Sequence, residues 1–116
     1  MSGHGYLLPL LFLCLLLAAA GCSSLSAGDV TYGNNNLTVA VTNGGAPVSA
    51  GVQVRIFALD EFGQHELLTT GTTATLAGNG NAVRIPVHLE PGNYKIYVYV
   101  TKDGQRETAV IRDITV

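Results

Sequence analysis

The chain has 116 residues and a formal net charge of −2, enough for one domain and one core but not two. Charged residues make up 12% of it, about half the usual share, yet all 6 basic and all 8 acidic side chains lie after Cys22, so the remainder reads as an ordinary soluble domain. Both signs are interleaved there, which leaves no positive field to gather phosphates and excludes a nucleic-acid partner.

The first element in chain order is an uncharged apolar run from Tyr6 to Ala20, followed by Gly21 and Cys22. A bilayer-spanning helix needs about 20 apolar residues, whereas the core of a secretion signal needs about 7 to 15 followed by small residues. The second template fits, so residues 1–21 are expected to be an N-terminal apolar signal helix. The tail Ala19-Ala20-Gly21-Cys22 resembles the lipobox of prokaryotic lipoprotein signals. That resemblance implies cleavage before Cys22, acylation of its thiol, and a membrane-anchored domain outside the cytoplasm. Cleavage after Ala18-x-Ala20, giving a secreted protein, and an uncleaved anchor are the alternatives. The other cysteine, Cys14, lies inside the apolar run, and no cysteine follows Cys22, so the domain has neither a disulfide framework nor a thiolate site. Residues 22–28, with Ser23, Ser24, Ser26 and Gly28, read as a tether.

From residue 29 onward the sequence breaks into short alternating runs separated by turn residues. In Leu37-Thr38-Val39-Ala40-Val41-Thr42 the odd positions are apolar, the period-2 sign of a strand with one buried face. Residues 43–47 end it. In the next run Val52, Val54 and Ile56 point inward, Gln53 and Arg55 outward, and Phe57 falls on the outer face. Residues 60–65 read as a loop, followed by strands over 66–70 and 72–76. Residues 78–81, Gly-Asn-Gly-Asn, are a turn signal because both residue types tolerate positive φ.

Val83, Ile85, Val87 and Leu89 then alternate with Arg84, Pro86 and His88; Pro86 lacks an N–H, which places this strand at an edge or at a bulge. Pro91-Gly92 turns the chain into residues 94–101, with Tyr94, Ile96, Val98 and Val100 on one face and Lys95, Tyr97, Tyr99 and Thr101 on the other. Asp103-Gly104 is a two-residue hairpin signal leading to a last strand over 107–116. About seven short strands at intervals of roughly 8 to 12 residues predict an all-β antiparallel sandwich over residues 29–116.

The strand ending in Asn43-Gly44, the run Val52-x-Val54-x-Ile56-Phe57, the turn Leu76-Ala-Gly-Asn-Gly80 and the stretch Val87-x-Leu89-x-Pro91-Gly92-x-Tyr94-x-Ile96-x-Val98 together resemble immunoglobulin-like surface modules of prokaryotes, the bacterial cell-adhesion-related and fibronectin type III-like domains. The resemblance covers about residues 30–116 and implies an immunoglobulin-like sandwich. Its motifs are structural, so no functional residue is carried over from it.

Chemistry is sparse. His65 and His88 are the domain's only histidines, and without a cysteine or methionine beside them they read as a loop residue and a solvent-facing strand residue rather than as metal ligands. Asp60, Glu61 and Glu66 could gather around calcium but lack the alternating acidic pattern, so a solvated loop is the expectation. No serine elbow or carboxylate pair suggests catalysis. No cofactor and no metal are expected.

Tyr97, Tyr99 and Phe57 share the outer face and form a candidate surface for sugars or protein partners; the competing expectation is a covered face, or one carrying cross-strand aromatic pairs. Asn36-Leu37-Thr38 is an N-glycosylation sequon. The leading reading is a non-catalytic envelope lipoprotein serving adhesion, scaffolding or binding, with the membrane, through Cys22, and a protein or glycan of the cell envelope as partners. The alternatives are an extracytoplasmic inhibitor or chaperone-like protein using loops 43–47, 60–65 and 78–81 at one sandwich end, and a carrier of a small ligand or metal. The inward assignment of Tyr94 is testable. Tyr94→Ser is expected to destabilise the fold by roughly 3 to 5 kcal/mol in denaturant titration, and a change of about 0.5 kcal/mol or less would reject it.

Overall fold

The computed structural model describes residues 24–116. The apolar segment, Cys14 and Cys22 lie outside the described residues. Seven strands, β1 (Leu25–Gly33), β2 (Asn36–Asn43), β3 (Val48–Asp60), β4 (Gly63–Leu76), β5 (Asn79–Pro86), β6 (Asn93–Lys102) and β7 (Gln105–Thr115), form two antiparallel sheets. One has the order β1-β2-β5 and the other β4-β3-β6-β7. Three hairpins (β1–β2, β3–β4, β6–β7) stay within a sheet, and the connections β2–β3, β4–β5 and β5–β6 cross between sheets.

The core is the set of inward positions of both sheets. Leu37, Val39, Val41, Val83 and Ile85 from the three-stranded sheet meet Val52, Val54, Ile56, Ile96, Val98 and Val100 from the four-stranded one, all of them buried. Each such side chain contributes about 1.5 to 3 kcal/mol on leaving water. This is why the alternation in β2, β3, β5 and β6 holds without exception along their central stretches. Tyr94 belongs to the same set: its ring is buried, and its hydroxyl donates to the Glu90 carbonyl at 2.6 Å. Pro86 does sit on an edge strand, since among the described residues β5 pairs only with β2.

The strand count agrees with the sequence reading, but its membership differs. β1 begins at Leu25, inside the stretch read as a tether, and Leu25 is buried. Its alternation escapes a sequence reading because the register shifts between Ala27 and Val30. That bulge moves the inward parity from Leu25 to Val30 and Tyr32, so no single period runs through the strand. The two strands expected at 66–70 and 72–76 are one, β4. Gly71, read as a break, is a point of close approach: a Cβ there would lie 2.6 Å from the Val52 carbonyl oxygen of β3.

The loop expected at 60–65 shrinks to the turn Glu61-Phe62, with Gly63 already paired to Asp60 and Asp60 Oδ1 accepting the Phe62 N–H at 2.8 Å. Residues 79–81, expected to turn, start β5. Asn79 does adopt the positive φ that the motif foreshadowed, at 75°. In the β1–β2 turn Asn34 and Asn35, with φ of 51° and 59°, supply the left-handed pair that a tight hairpin needs.

Two side chains tie the sheets together. Arg112 of β7 donates through Nε to the Gly28 carbonyl at 3.0 Å and through NH2 to the Ala27 carbonyl at 3.4 Å, so the carbonyls at the β1 bulge are bonded across the open side of the sandwich. Asn43 is the buried polar residue of the core. Its Nδ2 donates to the carbonyls of Ala46 (2.9 Å) and Leu76 (3.2 Å), and its Oδ1 accepts the Gly45 N–H (2.9 Å), joining the end of β2 to the end of β4. Truncating it strands these groups away from water. Asn43→Ala is expected to cost about 1 to 3 kcal/mol. Asn43→Asp should cost more at neutral pH, because a carboxylate would face two carbonyl oxygens, and should recover in part on acidification. Denaturant titration of the two variants at neutral and acidic pH gives the comparison, and equal losses at both would reject the hydrogen-bonding role.

Candidate functional site

The outer face of the four-stranded sheet is built by the same pleat that fills the core. With Ile56, Ile96 and Val98 directed inward, their neighbours Arg55, Phe57, Tyr97 and Tyr99 must project outward. The register sets Gln53 opposite Tyr99, Arg55 opposite Tyr97 and Phe57 opposite Lys95, and continues from Tyr97 to Ile111 and from Tyr99 to Ala109 on β7. Phe57 and Tyr97 are therefore diagonal neighbours. Their ring centroids lie 5.1 Å apart with planes at 68°, an edge-to-face contact.

Cations complete the row. The Arg55 guanidinium stands 5.4 Å from the Phe57 ring centroid, and that of Arg106 lies 4.3 Å from the centroid of Tyr99. Arg55 NH2 also donates to Glu66 Oε2 at 3.2 Å, while the Thr69 hydroxyl donates to the other carboxylate oxygen at 3.1 Å. The hydrogen bond to Glu66, followed by one to Tyr99, raises Arg55 above its ordinary range. The bonds from Arg55 and Thr69 hold Glu66 below the usual carboxylate range. Ile111, 51% exposed, extends the face past Tyr97.

The structure thus brings the three sequence-selected rings onto one face and puts two of them in contact; all three are half-buried. Both sequence expectations meet here, an accessible patch and a cross-strand aromatic pair. The sequence reading missed Arg106 and Ile111 as members. Arg106 reaches Tyr99 past a register shift between Val100 and Thr101, an irregularity that strand periodicity does not reveal.

Other candidates are dispersed. His65 Nε2 lies 3.1 Å from Asp60 Oδ2, and His88 bridges Glu90 Oε1 (2.9 Å) and Asn35 Oδ1 (2.8 Å), so each histidine has its own carboxylate. Asp60 caps a turn and Glu66 is taken by Arg55, which leaves Glu61 alone of the three acids considered for calcium. Among the described residues no three His, Cys, Asp or Glu side chains gather as a metal site would require. Asn36 opens β2 with its Nδ2 donating to the Asn34 carbonyl at 3.0 Å, and the middle residue of the sequon, Leu37, is fully buried.

Strand directions sort the turns into two groups. Ser24, residues 43–47, residues 77–78 and Asp103-Gly104 share one end, where the Gly44 N–H donates to the Ser24 carbonyl at 2.8 Å. Asn34-Asn35, Glu61-Phe62 and residues 87–92 share the other. Loops 43–47 and 78–81 therefore lie together, but the 60–65 turn is at the opposite end, so the three do not form the single loop cluster that an end-on inhibitor reading supposed. Phe62, 83% exposed, caps that far end.

No family model matches the chain, and no curated protein does. Among solved structures it is similar to one described as "putative beta-galactosidase from bacteroides fragilis", with 16% sequence identity and a TM-score of 0.42. The match covers 83% of this chain and 16% of that one, so the chain spans about a sixth of that protein's length.

The electrostatics of the outer face can be checked directly. In an NMR titration the Glu66 carboxyl is expected to ionise below the ordinary carboxylate range and to move back toward it in Arg55→Met. A depressed folded-state pKa means that the contribution of the pair is present above the unfolded carboxylate pKa and is lost as pH falls through the folded one. An unchanged titration in Arg55→Met would show that the pair does not form in solution.

Proposed function

We propose that this chain is an exported, non-catalytic envelope lipoprotein, anchored through Cys22, whose immunoglobulin-like sandwich binds a protein or glycan of the cell envelope through the Phe57–Tyr97–Tyr99 face. The observation that carries the binding reading is the row of half-buried rings and guanidinium groups on one face of the four-stranded sheet. Aromatic and arginine side chains are enriched in recognition surfaces, the aromatics because they offer large contact area at low conformational cost and arginine because its planar, charged fork both stacks and donates several hydrogen bonds.

The immunoglobulin-like assignment is supported by the division of the strands and by Tyr94. A tyrosine near the start of a late strand, with its hydroxyl bonded to the backbone a few residues upstream, is a corner found in such sandwiches, and here the acceptor is the Glu90 carbonyl. Binding rather than catalysis is supported by the dispersal of the histidines and carboxylates into separate pairs.

Anchoring at Cys22 would have a geometric consequence. One residue separates Cys22 from Ser24, whose carbonyl is already bonded to the folded domain. An extended chain spans about 3.5 Å per residue, so that end of the sandwich would rest within about 10 Å of the acyl chains. Loops 43–47 and 77–78 would face the membrane, and the flank bearing the rings would stand beside it, open to partners.

Two measurements test this reading. Expressed in a bacterial host fed an alkyne-tagged fatty acid, the full chain is expected to take up label, Cys14→Ser to keep it and Cys22→Ser to lose it; equal labelling of wild type and Cys22→Ser would overturn the anchor. A photo-crosslinking residue placed at Tyr97 or Tyr99 on intact cells is expected to capture adducts that the same residue at Thr42, on the other sheet, does not. Identical patterns from both sheets would overturn the binding face.

A further inference from the structure

A sandwich of this kind has four edge strands, each presenting unpaired N–H and C=O groups that can template pairing with another chain. Three of the four are guarded. β1 carries the bulge between Ala27 and Val30, with Arg112 bonded to the carbonyls there. β5 ends in Pro86 and bears Arg84. β7 bears Arg106, Glu107, Arg112 and Asp113 along a ladder that is itself shifted between Val100 and Thr101.

β4 is different. Its charged and titratable residues, His65 and Glu66, and the register shift at Ile56/Phe57 are confined to its first part. From Leu67 to Leu76 it carries neither charge nor proline, runs in regular register with β3 from Leu68 onward, and among the described residues pairs with no strand on its other side.

That open stretch is also self-complementary. Thr69-Thr70-Gly71-Thr72-Thr73 reads the same in both directions about Gly71. Antiparallel pairing of two copies about a two-fold axis at Gly71 sets Thr70 opposite Thr72, Thr69 opposite Thr73 and Leu68 opposite Ala74 of the second copy. Cross-strand threonine pairs are favourable, and no charge meets a like charge. Gly71 lacks a side chain where the axis passes, and it must remain glycine because of its approach to Val52.

We propose that β4 is a homodimerisation edge: two copies pair antiparallel through residues 68–74 and join their four-stranded sheets into one continuous sheet of eight strands. The isologous patch closes on itself, as a two-fold interface requires. Because the axis is perpendicular to the sheet, both copies present the Phe57–Tyr97–Tyr99 face on the same side. The dimer does not depend on that face binding anything.

The register supplies its own test. The full chain, with Cys14→Ser and Cys22→Ser to remove native thiols, is prepared in detergent micelles as two single-cysteine variants, Thr69→Cys and Thr73→Cys. In the dimer the introduced thiol at position 69 of one copy lies opposite that at position 73 of the other, at roughly 4.5 to 5.5 Å between Cα atoms, within disulfide reach. Two copies of the same variant hold their thiols about 13 Å apart. On mild oxidation the mixture is expected to give a disulfide-linked dimer several-fold more abundantly than either variant alone, and light scattering of the uncross-linked chain should report two chains per particle. Circular dichroism of each variant confirms that the sheets are intact. A monomer by light scattering, or cross-linking no greater in the mixture than in the separate variants, would overturn the proposal, and in the first case would leave the edge to an extended segment of some other protein.

Discussion

The pleat of β3 and β6 is the constraint on which the rest of this molecule depends. These two central strands of the larger sheet pair with each other, Val52 with Val100, Val54 with Val98 and Ile56 with Ile96, and all six side chains are buried against the smaller sheet. Because successive side chains alternate between faces, burying those six compels Gln53, Arg55, Phe57, Lys95, Tyr97 and Tyr99 onto the opposite surface. A slip of one residue would put Arg55 in the core if it occurred in β3, or Tyr97 and Tyr99 if it occurred in β6, and in each case that strand's valines in water, so the register is held by strong penalties. The outer aromatic face is thus a direct consequence of the core.

Around that centre the fold is closed by polar groups at places where the strand pattern fails. β1 bulges between Ala27 and Val30, and Arg112 reaches across from β7 to the carbonyls at the bulge. β2 ends at Asn43, whose amide satisfies a turn and the last residue of β4 together. Tyr94 anchors the connection before β6 through its hydroxyl. Each of these bonds lies where a ladder is interrupted and a backbone group would otherwise lack a partner. The same reasoning applies to the edges: three are blunted by charge, proline or a bulge, and the fourth, β4, is uncharged and in regular register from Leu68 to Leu76 and locally symmetric about Gly71.

Half-buried rings beside guanidinium groups and an unpaired edge strand lie on the same four-stranded sheet, and they are what supports the proposed role in contact. The anchor would set which end meets the membrane, the pleat sets which side shows the rings, and the edge offers a way to place two such sides next to each other. In the proposed dimer, doubling the proposed binding face would raise its effective affinity without any new interaction at the surface itself.

Local pattern alone was sufficient for the all-β class, the inward sets of β2, β3, β5 and β6, the edge position of Pro86 and the shared face of Phe57, Tyr97 and Tyr99, because period-2 burial is written in consecutive residues. It did not reveal β1, where a bulge breaks the period, or the unity of β4, where an edge strand of threonines has little burial to enforce alternation and Gly71 mimics a turn. The strand order, the meeting of Arg106 with Tyr99, the reach of Arg112 and the burial of Asn43 were decided only by tertiary contacts, between residues as far as 85 positions apart. Their physical reason is pairing between strands, within and across the two sheets, which the alternation along one run of residues does not encode.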